Sequence, residues 1–150
     1  MNDASTVAMP KGIATNESDQ STGLTETRRK VLDLVVKAGQ PVGAYRLLEA
    51  MQDKGTRVMP PTVYRALSFL QGKGLVHRIE SLNAFVACTR SDHEHEHNGQ
   101  FLICSSCGRS DELDDVAVSE RLRECADARG FRLSHQTIEL RGLCADCAKK

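Results

Sequence analysis

Apolar residues recur at helical spacing three times in the first half of the chain, and then the rhythm changes. Val31, Leu34, Val35 and Ala38 fall on one stripe, with Thr25 placed to cap the start of a helix and Gly39 and Pro41 to stop it. A second helix, Ala44 to Lys54, presents Leu47, Leu48 and Met51 and ends at Gly55. A third begins after Pro60-Pro61, where Val63, Ala66, Leu67 and Leu70 recur at i, i+3, i+4 and i+7 and form the stripe to be buried. The opposite side carries Tyr64, Arg65 and Ser68, with Thr62 near the start. Two short β-type runs follow, LVHRIE and AFVAC, and Ser81-Leu82-Asn83 joins them into a hairpin.

Three helices and a hairpin predict a winged helix-turn-helix. An arginine and a tyrosine on the exposed start of the third helix suit a DNA major groove, where arginine can bridge two acceptors on guanine and an aromatic ring can pack on a thymine methyl. The same pattern also describes a three-helix core with a charged outer face, because fold does not dictate function. Charge leans towards nucleic acid: residues 24–85 hold ten Lys/Arg against five Asp/Glu, whereas residues 86–150 hold nine against twelve, in a chain of zero net charge.

The second half reads as an α+β unit. FLIC is a strand, CSSCG a tight turn, Val118 to Arg129 a helix ended by Gly130, and RLSHQTIEL a further strand leading into CADC. The expected organisation is a polar, disordered arm over 1–23, the winged helix over 24–87, a hinge and metal-binding loop over 88–99, and the cysteine-bearing domain over 100–150. The 150 residues suffice for one ordinary domain or two small ones. No apolar run approaches the roughly 18 residues of a membrane span, and the polar opening lacks the apolar centre of a signal peptide, so a cytoplasmic protein is expected. In that reducing compartment six cysteines point to metal ligands or buried thiols, not to disulfides.

Cys104-x-x-Cys107 and Cys144-x-x-Cys147 each set two thiolates on a tight turn, and together they supply the four sulfur donors of a closed tetrahedral zinc site. The 36 residues between the pairs leave room for a whole helix and strand. Cys125, at helical spacing from Leu122, is expected as a buried thiol. The segment SDHEHEHNGQ contains His93, Glu94 and His97 in the order H-E-x-x-H, which on a helix would hold a hydrolytic zinc. Turn formers flank it and no apolar residue interrupts it, so a loop is expected and the hydrolase pattern lacks its context. The other candidate ligands are His77, Cys88, His95, Glu112 and His135. A site drawing on the hairpin, the loop and the second domain would bridge two bodies, and a mixture of N, S and O donors suits zinc.

TVYRAL followed by GLVHRIE, then FLICSSCG, and finally GLCADC resemble the ferric uptake regulator family, and within it the zinc-sensing branch, over residues 24–148. The resemblance implies a non-enzymatic, homodimeric repressor that binds an AT-rich inverted-repeat operator in double-stranded DNA when zinc is plentiful and silences zinc-uptake genes. It implies one structural zinc per subunit at Cys104, Cys107, Cys144 and Cys147 and one regulatory zinc at His77, Cys88, His97 and Glu112, with dimerisation through the C-terminal domain. His93, His95 and His135 stand as auxiliary candidates, and Tyr45, Tyr64 and Arg65, with Thr62 as a phosphate contact, match the groove-facing positions. Neither a membrane nor a small-molecule substrate is implied. A sensor of another metal, iron or manganese, is the alternative within the family, but the compact HHxHxxC run of iron and peroxide sensors is absent, with Gln100 standing four residues before Cys104. Two further departures are a leader without an amphipathic helix and Glu26 in place of a proline in the first helix's opening turn.

Overall fold

The structure is a computed structural model and describes residues 23–52, 57–89 and 99–149. In chain order the elements are α1 (Glu26–Ala38), α2 (Ala44–Gln52), α3 (Pro60–Gly72), β1 (Val76–Ile79), a 3-10 turn (Glu80–Leu82), β2 (Ala84–Ala87), β3 (Gly99–Cys104), β4 (Ser110–Leu113), α4 (Val116–Asp127), β5 (Thr137–Gly142) and α5 (Ala145–Ala148). The predicted winged arrangement of three helices and an antiparallel hairpin is present, and β1 pairs with β2 from Val76↔Ala87 to Ile79↔Ala84.

Local chemistry explains the helix ends. The Thr25 hydroxyl accepts a hydrogen bond from the Arg28 amide at 3.4 Å, a cap of the kind that contributes about 1 kcal/mol. Gly39 closes α1 in the left-handed region at φ 59°, a conformation that costs other residues strain. The α3 stripe is buried as its spacing predicts: Val63, Ala66, Leu67 and Leu70 join Val31, Val35, Leu47, Leu48 and Met51 in one core, which Val76 and Phe85 of the hairpin close. At about 1.5–3 kcal/mol for each fully buried aliphatic side chain, this cluster is the chief stabilising feature of the helical half.

The second half differs from expectation at several points. α4 starts at Val116 instead of Val118, because Asp115 accepts from the Val118 amide at 3.2 Å and caps the helix there. β5 begins at Thr137 and not at Arg132, since parallel pairing with β3 runs only from Gly99↔Thr137 to Cys104↔Gly142. β4, an acidic strand without apolar alternation, was not predicted; it forms because the first cysteine turn folds the chain back antiparallel onto β3. Cys125 is half-buried, not buried, for α4 turns little of its surface inward and Ser119 is its one buried residue.

The second sheet has the order β4-β3-β5. One face of β3 points Phe101 and Ile103 at the hairpin, where they pack with Ile79, Leu82 and Val86. The other carries the buried Gln100, whose Nε2 donates to the Ser119 hydroxyl at 2.7 Å and to the Asp115 carbonyl at 2.8 Å, fastening α4 to the sheet. No helix among the described residues is long and apolar enough to cross a membrane.

Candidate metal centres

Two clusters of metal-ligating side chains emerge among the described residues, and they are built differently. In the first, Cys104, Cys107, Cys144 and Cys147 bring their sulfurs within 4.8 Å of one another. Cys104 ends β3 and Cys107 lies in the turn after it. Gly108 lets that turn close, with φ 75° and its amide donating to the Cys104 carbonyl at 3.0 Å. The Ser105 amide reaches across to the Gly142 carbonyl at 2.7 Å, which draws the end of β5 and the second cysteine pair alongside the first. The Cys107 and Cys144 sulfurs stand 3.9 Å apart. Four sulfurs at about 2.3 Å from a tetrahedral zinc would be separated by about 3.8 Å, so the donor set fits that ion.

Electrostatics agree. Amide hydrogen bonds from Cys107, Cys144 and Ser106 bring the Cys104 thiol down to about 6, and the Cys144 amide lies 3.3 Å from its sulfur. Cys147 is driven the other way, to about 12: the Ser106 hydroxyl favours its thiolate, but the neighbouring Cys144 and Cys107 sulfurs outweigh it. Without a cation, four sulfurs this close cannot all carry charge, and a dication removes that conflict.

The second cluster joins His77 of β1, Cys88 just past β2 and Glu112 of β4, again within 4.8 Å. His77 Nε2 lies 3.1 Å from Glu112 Oε1, and both side chains are 10% exposed. The sheet partners set this geometry: Glu112 is opposite Phe101 in register, and the Phe101 ring meets the His77 ring edge-on at 5.5 Å between centroids. Burial opposes charge on His77, but hydrogen bonds and the charges of Cys88 and Glu112 overcome it and raise its pKa to about 9. Burial likewise opposes the charge on Glu112, yet His77 and Thr89 hold that carboxyl below its ordinary value. Nitrogen, sulfur and oxygen donors in a half-buried pocket make a set that zinc accepts, with one tetrahedral position left for another ligand.

Of the predicted ligands, His77, Cys88 and Glu112 therefore converge, although 34 residues lie between the first and the last. His93, His95 and His97 lie outside the described residues. His135 does not belong to either cluster; it precedes β5, exposed, with Nε2 2.9 Å from the Thr137 hydroxyl. Thr89 escaped the sequence reading. Its amide and hydroxyl both donate to Glu112 Oε2, at 3.2 and 2.9 Å, so it orients the carboxylate from the hairpin side. Nothing in its sequence position beyond adjacency to Cys88 marks it.

The residues expected to face nucleic acid are on the surface. Tyr45 at the start of α2 and Tyr64 on α3 are 70% and 56% exposed, and Arg65 and Thr62 stand beside Tyr64 on the unburied side of α3.

A sequence model of the ferric uptake regulator family matches residues 19–141. The zinc uptake regulation protein of Escherichia coli (strain K12) is 38% identical over 126 residues, covering 84% of this chain and 73% of that one. Among solved structures, holo XcZur superposes with a TM-score of 0.79 at 46% identity, covering 85% of this chain and 87% of its own. A zinc uptake regulator complexed with zinc and DNA gives 0.78 at 37%, covering 84% and 83%.

Proposed function

This chain is a member of the ferric uptake regulator family, and from that premise we propose that it is a zinc-responsive transcriptional repressor, active on operator DNA as a zinc-loaded homodimer. The observation that carries the reading is the His77–Cys88–Glu112 cluster, which takes two donors from the hairpin and one from the second sheet. A cation bound there ties the DNA-reading half to the sheet half. His97, seven residues before Cys104, is the fourth ligand in this reading, and the cysteine cluster holds a second, structural zinc. The domain boundaries follow as 24–87 for the reading head, 88–99 for the hinge and 100–150 for the dimerising, zinc-holding domain.

The chain's own residues supply each part of the device. Tyr45, Tyr64 and Arg65 face the groove, Thr62 contacts a phosphate, and the hairpin carries their pose to His77 and Cys88. Moving such a two-state equilibrium from 1:99 to 99:1 takes about 5.5 kcal/mol of differential binding, within the reach of a four-ligand zinc site. Leu102 and Leu140, paired in register on the sheet face that α4 shares, remain exposed, as do Val118 and Leu122 of α4. A second copy packed there would cover an apolar surface that one chain leaves in water.

The similarity to zinc regulators and the Cys88 sulfur among the donors favour zinc over iron or manganese. A gel shift on an inverted-repeat duplex, with zinc, iron and manganese titrated separately, tests this. Zinc alone is expected to produce the retarded complex at the lowest free-metal concentration, and equal or better response to iron or manganese overturns the assignment.

A further inference from the structure

The hairpin meets the second sheet at another point, on a side chain that neither metal cluster uses. β1 ends at Ile79, and the chain enters the 3-10 turn of Glu80–Leu82. The first amides of a helical turn find no acceptor inside it and need one from elsewhere. Ile79 stands at the cap position and offers no side-chain acceptor. The acceptor comes from the far end of the chain: Glu139 on β5 takes the Glu80 amide on Oε1 at 2.7 Å and the Ser81 amide on Oε2 at 3.1 Å. Desolvation opposes the charge, but hydrogen bonds from Ser81 and the two amides, with Arg141 nearby, keep the Glu139 carboxyl below its ordinary value.

Glu139 is opposite Phe101 in register, and Phe101 packs on Ile79. The hairpin is thus fastened to the sheet at both ends of β1, by the His77–Glu112 contact at one and by Glu139 at the other. The second fastening needs no metal. Glu80 and Ser81 present their backbone amides and Ser81 adds its side chain, so the contact depends on a carboxylate able to accept several hydrogen bonds at once.

We propose, resting on the zinc-regulator reading, that Glu139 is a positioning residue: a latch that caps the hairpin turn from the other domain and holds His77 and Cys88 beside Glu112 before metal arrives. Apparent affinity for a ligand falls in proportion to the fraction of protein already in the competent pose, so loosening the latch weakens zinc binding without touching a ligand. Glu139→Gln keeps the size but turns an amide group towards one of the two N–H donors.

The test uses full-length protein carrying zinc in the cysteine cluster alone, titrated with zinc against a chromophoric chelator in the absence of DNA. Glu139→Gln and Glu139→Ala are expected to weaken the regulatory site about tenfold, a typical coupling between sites. Amide exchange at Glu80 and Ser81 should quicken, with cysteine-bound zinc content and thermal midpoint unchanged. Ser81→Pro, which deletes the amide and hydroxyl donors of Ser81 but leaves the Glu80 amide, should give a smaller loss in the same direction. Unchanged zinc affinity in the two Glu139 variants, or unchanged exchange at the two amides, overturns the latch. A parent protein that holds the inverted repeat equally with and without zinc overturns the regulator reading instead, and the DNA-free titration still decides the latch.

Discussion

The two halves of the molecule reach stability by different means. The helical half closes a core of 13 buried residues from α1, α2, α3, the segment between α2 and α3, and the hairpin. The sheet half contributes Phe101 and Ile103 to a small cluster shared with Ile79 and buries the polar Gln100, Ser119 and Gln136, while its helix leaves Val116, Val118 and Leu122 exposed. Hydrophobic burial accounts for the first half. The second must draw on bonds outside that account, and the cysteine cluster and a partner surface are the two that its residues offer. A sensor gains from this division, because a half with a full core can move as a body while a half held by ligands can be tuned by them.

The sharpest way to break the comparison is to remove the four-sulfur site. A Cys107→Ser, Cys144→Ser double substitution, or exhaustive chelation, should unfold residues 99–149 and leave α1 to α3 helical, since structural zinc sites contribute about 10–16 kcal/mol at neutral pH. Hydrogen exchange resolved along the chain reads this directly, and protection retained in β3 and β5 of the metal-free protein would remove the contrast.

Next in size is the joint between the halves. Cys88→Ser or His77→Ala should leave both halves folded and the cysteine cluster loaded, yet abolish the zinc dependence of operator binding, a loss of up to about 5.5 kcal/mol in the closed-state preference. Fluorescence anisotropy with a labelled duplex measures it; tight, zinc-responsive binding in both variants would take these residues out of the site.

Leu67→Ala probes the helical half alone. Leu67 is 1% exposed, and a cavity in so full a core should cost about 2–5 kcal/mol in denaturant unfolding of residues 24–87 while zinc content of the cysteine cluster stays constant. Loss of that zinc in the variant would show that the halves do not fold independently. The smallest effect is expected at Arg65→Ala, which should cost about 1–3 kcal/mol of discrimination between operator and scrambled duplex and nothing in folding. Undiminished discrimination would remove Arg65 from base readout.

The helical half was legible because its elements are long and periodic. The stripe from Val63 to Leu70 has one face to hide, and Thr25 and Gly39 are local instructions that act wherever the helix packs. The sheet half was legible mainly at its cysteines. β4 carries no apolar alternation and exists because the knuckle turn lays it against β3, and the late start of β5 follows from where β3 ends. The buried role expected of Cys125 failed because α4 has little sheet to lie on.

The chain's own order of residues determined the three helices, the hairpin and the four-sulfur donor set, since each depends on spacings of a few residues along one segment or on paired turns. The tertiary structure decided which of the scattered donors meet. His77, Cys88 and Glu112 converge because the hairpin docks on Phe101 and Ile103, and Thr89 and Glu139 acquire their tasks only in that docked pose. Such contacts join groups many residues apart, and their geometry comes from how two packed surfaces fit, which no local pattern encodes.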